Sequence, residues 1–139
     1  VPSGVVSDLL RVIEQQRADA VISVGGGSPI DTVKAAAFSI VSGSTGDGFP
    51  HIAIPTTLSA GEFTSVAGIT DGQTCIKRPV HDARIAPRVV IADPLLTLDT
   101  PEWLWIATGF AQSITPSSRS TPFGITRQVK RWPLADSRY

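Results

Sequence analysis

Val21-Ile22-Ser23-Val24-Gly25-Gly26-Gly27-Ser28-Pro29-Ile30-Asp31-Thr32-Val33-Lys34 decides how this chain folds. The β-branched apolar run Val21, Ile22, Val24 reads as a buried strand, and it ends in three glycines. A helix-start signature follows. Ser28 is a good N-cap, Pro29 suits the first helical position, and the Asp31 carboxylate falls where it can reach back to the cap N–H. Apolar residues at Ile30, Val33, Ala37 and Ile40 then recur near helical period. Strand, glycine turn and capped helix gather free N–H groups and the positive end of a helix dipole at one point, which makes a phosphate-sized anion site. Glycine is required because a diphosphate reaches backbone N–H groups only where no Cβ intervenes. The spacing is neither GxGxxG nor GxxxxGK[ST], and an ordinary glycine-rich turn that binds nothing stands beside the anion-site reading.

Working outward, Ser3 to Ala18 reads as an amphipathic helix with Val6, Leu9, Leu10 and Ile13 on one face. Ala20–Val24 is the first strand and Ile30–Val41 the second helix. Ser42–Pro50 is a glycine- and serine-rich loop. Ile52–Ile54 forms a short strand that Pro55 stops. Val66–Thr70 and Thr74–Lys77 flank the hairpin turn Asp71-Gly72. Val89–Asp93 is a further strand, and Thr100 caps a helix from Pro101 whose apolar side carries Trp103, Leu104 and Ile106. Strand–helix–strand order predicts an α/β fold with a parallel sheet and an attached β-hairpin. Such a sheet binds ligand beyond the carboxyl ends of its strands, where Gly25–Ser28 and Thr56–Thr57 both fall. The Thr hydroxyls can bond a ribose or a phosphate there, or simply satisfy the turn after Pro55.

Composition bounds these readings. The chain has 139 residues, enough for one small domain, with 42% hydrophobic content. Its mean hydropathy of +0.15 fits a globular α/β unit. No apolar run approaches the ~18 residues of a membrane span, and no signal-peptide pattern opens the sequence. The single cysteine, Cys75, excludes an internal disulfide, suits a reducing cytoplasm and reads as a small strand residue. Residues 1–109 hold 7 Lys/Arg and 11 Asp/Glu, whereas 110–139 hold 5 and 1, so an acidic body precedes a basic tail.

GGGSPIDTVK resembles the GGGSxxDxxK motif of the iron-containing alcohol dehydrogenase family, which also holds glycerol dehydrogenases and maleylacetate reductases. His51-Ile-Ala-Ile-Pro-Thr-Thr-Leu-Ser-Ala-Gly-Glu-Phe-Thr64 resembles the family's Pro-Thr-Thr loop. Lys77, followed by Ala86-Pro-Arg-Val-Val-Ile-Ala-Asp-Pro-Leu-Leu-Thr97, resembles its downstream lysine and Asp-Pro-x-Leu-Thr stretch. The three segments stand in family order between about Val5 and Gly109. The resemblance implies a Rossmann-like, dinucleotide-binding fold that is partial here, with 1–109 as an incomplete NAD(P)-binding α/β domain. It implies that the glycine motif holds the NAD or NADP diphosphate and that the threonine loop and lysine lie along ribose and nicotinamide. The residues carried over are Gly25, Gly26, Gly27, Ser28, Thr56, Thr57, Ser59 and Lys77. Asp31 and, less securely, Lys34 join them; for these two a helix-capping or solvated-face role stands beside ligand contact.

The family has further strands before the matched region, and after it a helical domain supplies the substrate pocket. In members that use iron or zinc, that domain also carries an aspartate and three histidines. This chain has only His51, in a predicted strand, and His81, in a charged loop, and both read as structural. From Phe110 the sequence has no helical or strand period and resembles nothing in the family. A one-base shift of reading frame accounts for it. Codons can be chosen so that Phe110–Pro122 reads RAIDHAVEPLYS in the shifted frame, against GIRALDHAVEALYS in the family, and Phe123 onward reads FRHHPPGEALAP. The restored string has Arg where many metal-dependent members have the ligand Asp, which leans toward the maleylacetate-reductase-like branch.

The expected parent is thus a cytoplasmic, homo-oligomeric oxidoreductase moving hydride between nicotinamide and a small alcohol or aldehyde. The alternative is a maleylacetate reductase acting on an unsaturated keto acid. In either case the chain alone is expected to be inactive. A third reading, a nonenzymatic module binding nucleic acid through Arg119, Arg127, Lys130, Arg131 and Arg138, has little support, because these residues share no helical register and have only Trp132 as a neighbouring aromatic.

Overall fold

The computed structural model describes residues 1–114 and 129–131. In chain order it contains α1 (Ser3–Gln16), β1 (Val21–Gly25), α2 (Gly27–Val41), β2 (His51–Pro55), β3 (Val66–Thr70), β4 (Lys77–His81), β5 (Val89–Ile91), α3 (Glu102–Ile114) and β6 (Val129–Arg131). Short 3-10 turns occupy Gly61–Phe63, Ala83–Ile85 and Pro94–Thr97. One sheet has the order β1-β2-β5-β6. Its first three strands are parallel, pairing Val21 with His51 through Gly25 with Pro55, and Ile52 with Val89. β6 closes the other edge antiparallel to β5. β3 and β4 form a separate antiparallel hairpin. The α/β fold with a parallel sheet and a hairpin is therefore as the sequence pattern predicts.

α2 is the centre of the packing. Ile30, Val33 and Ala37, three of its predicted apolar positions, are buried, together with Lys34, Ala35, Ala36 and Val41. Small residues on its second face let α1 and the hairpin approach, so Val6, Ala35, Ala36 and Ala67 form one core cluster, flanked by Leu9, Leu10 and Ile13. Ala37, Val41 and Ile85 form another, flanked by Phe38, Phe49 and Val80. Ser23, Ala53 and Val90 lie side by side in the strand register and are all buried. Their neighbours Ile22 and Val24 point to the opposite sheet face and are more than half exposed.

Several local expectations are corrected. α2 begins earlier than the Ser28 cap implies, with Gly26 as N-cap and Gly27 as its first residue. The reason is steric. Gly25 takes φ +142, and Pro29 Cγ sits 2.9 Å from where a Gly25 Cβ would stand, so the chain turns into the helix at the glycines themselves. The second hairpin strand is Lys77–His81, not Thr74–Lys77. The Asp71 carboxylate accepts the N–H groups of Gln73 at 3.0 Å and Thr74 at 2.7 Å, which builds a longer loop. Within that loop Cys75 is exposed with φ 56 and is not a strand residue. His81 accordingly lies in β4, not in a loop. Thr100 does not cap α3; its hydroxyl donates to the Thr56 carbonyl at 2.7 Å. Trp103 and Ile106 face outward. α3 also continues past Gly109 to Ile114, where the sequence shows no helical period, because the chain simply extends a helix already nucleated.

Candidate functional site

A cleft of about 770 Å³ opens at the carboxyl edge of the parallel strands. Three segments build it, each leaving the end of a parallel strand. The first is the turn after β1 with the opening of α2: Gly26, Gly27, Ser28, Pro29 and Asp31. The second is Thr56, Thr57 and Ser59 after β2, and the third is Leu96, Asp99, Thr100 and Pro101 after β5. Leu104 and Thr108 of α3, Lys77 of β4 and Val1 complete the lining. Of the nine residues expected at a cofactor site, all but Gly25 line this cleft, and Gly25 forms the turn behind it.

The segments are tied together at the strand ends. Thr56 N–H donates to the Gly25 carbonyl at 2.9 Å, while the Thr56 carbonyl accepts from the Thr100 hydroxyl. Leu58 N–H donates to Thr108 Oγ1 at 3.2 Å, and that hydroxyl donates back to the Leu104 carbonyl at 2.8 Å. The three walls thus form one hydrogen-bonded frame around the mouth.

At the floor, the first N–H groups of α2 have no intrahelical acceptor, the N-cap Gly26 supplies no side-chain cap, and Gly26, Gly27 and Ser28 line the cleft. A Cβ on Gly26 would stand 3.1 Å from Thr57 Oγ1, and one on Gly27 would stand 3.1 Å from Ser59 Oγ. Only glycine permits this approach. Thr57 is 6% exposed, and its hydroxyl oxygen has no hydrogen-bond partner among the described residues. A buried hydroxyl left unmatched is costly, and an acceptor-rich oxyanion against the helix start is what would satisfy it. The Lys77 side chain lies across Gly68, which has no Cβ to block it, and reaches the cleft from the hairpin.

Asp31 and Lys34 behave differently from a cap and a solvated charge. Lys34 is wholly buried, and its Nζ donates to Asp31 Oδ1 at 2.9 Å. Asp31 keeps a side chain 30% exposed on the cleft wall. Below them Glu62 is buried, and burial pushes its carboxyl pKa up against the opposing pull of Lys34. His51 is buried with Nε2 2.8 Å from Ser23 Oγ; desolvation first, and the Lys34 charge second, lower its pKa to about 4. It is a neutral core residue, as the sequence suggests.

The residues that sequence reasoning missed are those after β5: Leu96, Asp99, Thr100 and Pro101, with Leu104 and Thr108 behind them. The signal was available. The rule that places ligand beyond strand carboxyl ends applies to Val89–Ile91 just as it does to the first two strands.

A family model described as iron-containing alcohol dehydrogenase matches residues 1–94. The chain belongs to this family. A maleylacetate reductase from Pseudomonas knackmussii is 38% identical over 101 residues, covering 73% of this chain and 26% of that protein. An NAD-dependent methanol dehydrogenase from Bacillus methanolicus is 40% identical over 116 residues, covering 75% and 30%. Among solved structures, a sulfoacetaldehyde reductase from Bifidobacterium kashiwanohense in complex with NAD+ superposes with a TM-score of 0.66 at 29% identity, covering 75% of this chain and 31% of that one. The chain therefore spans less than a third of the length of the relatives it matches. Among the described residues no three of His, Cys, Asp and Glu converge on a common point, so their donor set does not fit the iron of the family's name. No described helix is long and apolar enough to cross a membrane.

Proposed function

We propose that this cleft is the diphosphate- and ribose-binding part of an NAD(P)-dependent oxidoreductase that moves hydride between nicotinamide and a small alcohol or aldehyde. The observation that carries the reading is the buried, unpartnered Thr57 hydroxyl beside the uncapped start of α2. The N–H groups at Gly26–Ser28 would hold the diphosphate, Thr56, Thr57 and Ser59 would bond its oxygens or the adjoining ribose, and Lys77 would supply a positive charge along the same path. Asp31 sits on the wall as the partner of Lys34 and borders the ligand. NAD is favoured by the names of the relatives. NADP stands beside NAD in the proposal. The bound dinucleotide supplies the hydride; the described residues grip and orient it. A maleylacetate reductase, with an unsaturated keto acid as substrate, is the second reading, favoured by the first relative above. A cytoplasmic setting and a homo-oligomeric parent belong to the same proposal.

The chain itself should be inactive. Positioning and charge stabilisation carry most of an enzyme's rate enhancement, and the cleft residues assigned above, Lys77 included, are engaged in holding the dinucleotide rather than the alcohol. Assays with NADH or NADPH against a panel of aldehydes and maleylacetate should show background turnover only. Robust turnover that a Gly26→Val change abolishes would overturn this part of the proposal. The nucleic-acid reading is not favoured, because the relatives it must be weighed against are reductases and dehydrogenases; of the residues it leans on, Arg119, Arg127 and Arg138 lie outside the described residues.

A further inference from the structure

Lys34 is a wholly buried cation, and all three of its ammonium protons are accounted for. They go to Asp31 Oδ1 at 2.9 Å, to the Gly61 carbonyl at 2.8 Å and to Thr64 Oγ1 at 3.0 Å. One partner is on the cleft wall of α2; the other two belong to the segment that follows the threonine loop. That segment runs pressed against α2. A Cβ on Gly61 would stand 3.5 Å from Asp31 Oδ1 and 3.8 Å from the Gly27 Cα, while Thr57 and Ser59 crowd Gly26 and Gly27 as described above. Glu62, in the same turn, adds a buried carboxyl that feels the charge of the ammonium. Burying an ammonium is expensive unless its geometry is fully satisfied, so a lysine here indicates a specific task over mere filling of space.

We propose that Lys34 is a positioning residue: it clamps the 56–64 segment onto the first turns of α2 and so fixes the spacing between the helix N–H groups and the Thr57 hydroxyl across the cleft floor. The clamp acts through Thr57 and Ser59 without touching ligand. It deepens the dinucleotide reading and rests on it only for its consequence for affinity. Arginine cannot reproduce the clamp, because its planar fork does not direct three donors to a carboxylate, a carbonyl and a hydroxyl around one point.

The test uses the full chain and three variants, Lys34→Arg, Thr64→Val and, as a control remote from the cleft, Val6→Ala on α1. Hydrogen exchange across residues 56–64, thermal midpoint and NADH affinity by fluorescence titration are measured on each. Lys34→Arg and Thr64→Val should speed exchange in 56–64 by about tenfold or more and weaken NADH by a similar factor, whereas Val6→Ala should lower the midpoint and leave both readouts near wild type. Unchanged exchange in both clamp variants would overturn the proposal, as would an affinity loss that Val6→Ala matches at equal midpoint. Should Lys34→Arg not fold, Thr64→Val alone decides. A wild-type chain that ignores NADH would overturn the dinucleotide reading, and the exchange data would still decide whether the clamp exists.

Discussion

His51 shows how a single buried side chain writes a pH dependence into the fold. It is enclosed on β2 against Ser23, with Nδ1 lacking a partner among the described residues, and its pKa falls from 6.5 to about 4. The unfolded chain takes up the proton more readily than the folded one. The stabilisation is therefore complete above about pH 6.5, is lost as pH falls from there toward about 4, and changes no further below that. A shift of this size corresponds to something on the order of 3 kcal/mol across the window. Denaturant melts at pH 7, 5.5 and 4.5 should show stability dropping through that range, and His51→Gln should flatten the drop. An equal drop in the variant would assign it to other groups. Gly26 carries a different kind of information. Its value is the missing Cβ, which leaves Thr57 pressed against the start of α2. The sequence pointed to Gly26, Gly27, Thr56 and Thr57 because glycines after a strand and hydroxyls after a second strand have a chemical meaning by themselves, whereas Lys77 came only from the family resemblance. It misjudged Lys34, because a lysine at an i, i+3 spacing from an aspartate looks the same whether the pair is solvated or buried, and only tertiary packing distinguishes the two.

α1 ends where Arg17 adopts the left-handed conformation, with φ 49 and ψ 45, and where Ala18 N–H reaches back to Ile13 and Arg17 N–H to Glu14. This closing geometry normally takes glycine, and an L side chain there costs about 1 kcal/mol. Arg17→Gly should thus raise the thermal midpoint by a few degrees, a gain of up to ~1 kcal/mol, without altering the cleft. A lowered midpoint would mean that the exposed guanidinium contributes something its position does not suggest. The elements themselves were legible to differing degrees. β2, β3 and α2 follow from their own apolar periods, and α1 was placed to within two residues of its end because Val6, Leu9, Leu10 and Ile13 repeat so cleanly; β1 is a strand as read, but Ile22 and Val24, read as buried, are its exposed side and Ser23 its buried one. β4 was misplaced because the Asp71 side chain satisfies two backbone N–H groups and lengthens the turn, a side-chain contact that alternation of apolar residues cannot reveal. α3 kept its position but not its orientation. Trp103 and Ile106 look like a core face in sequence, yet Leu104 and Thr108 are the side turned to the cleft.

As a molecule, the described chain is built on a sheet whose first three strands are parallel, with α2 on one face and exposed aliphatic side chains, Ile22 and Val24, on the other. Parallel sheets are normally covered on both faces, so this arrangement should be only marginally stable in isolation. The basic stretch after Gly109 adds a question that the gene answers directly. We propose that it arose from a one-base deletion near Gly109, supported by the shifted-frame string RAIDHAVEPLYS. The coding DNA for Phe110–Pro122 should yield that string in the shifted frame; codons incompatible with it would remove the idea. The most direct test of the functional reading is a titration of the full chain with NADH, followed by fluorescence or calorimetry and repeated on Gly26→Val. The expected result is weak but saturable binding that Gly26→Val reduces by about tenfold or more, because a Cβ branch there displaces Thr57 and blocks the N–H groups of α2. Absence of binding in the wild type, or an affinity that Gly26→Val leaves unchanged, would contradict a dinucleotide site at this cleft.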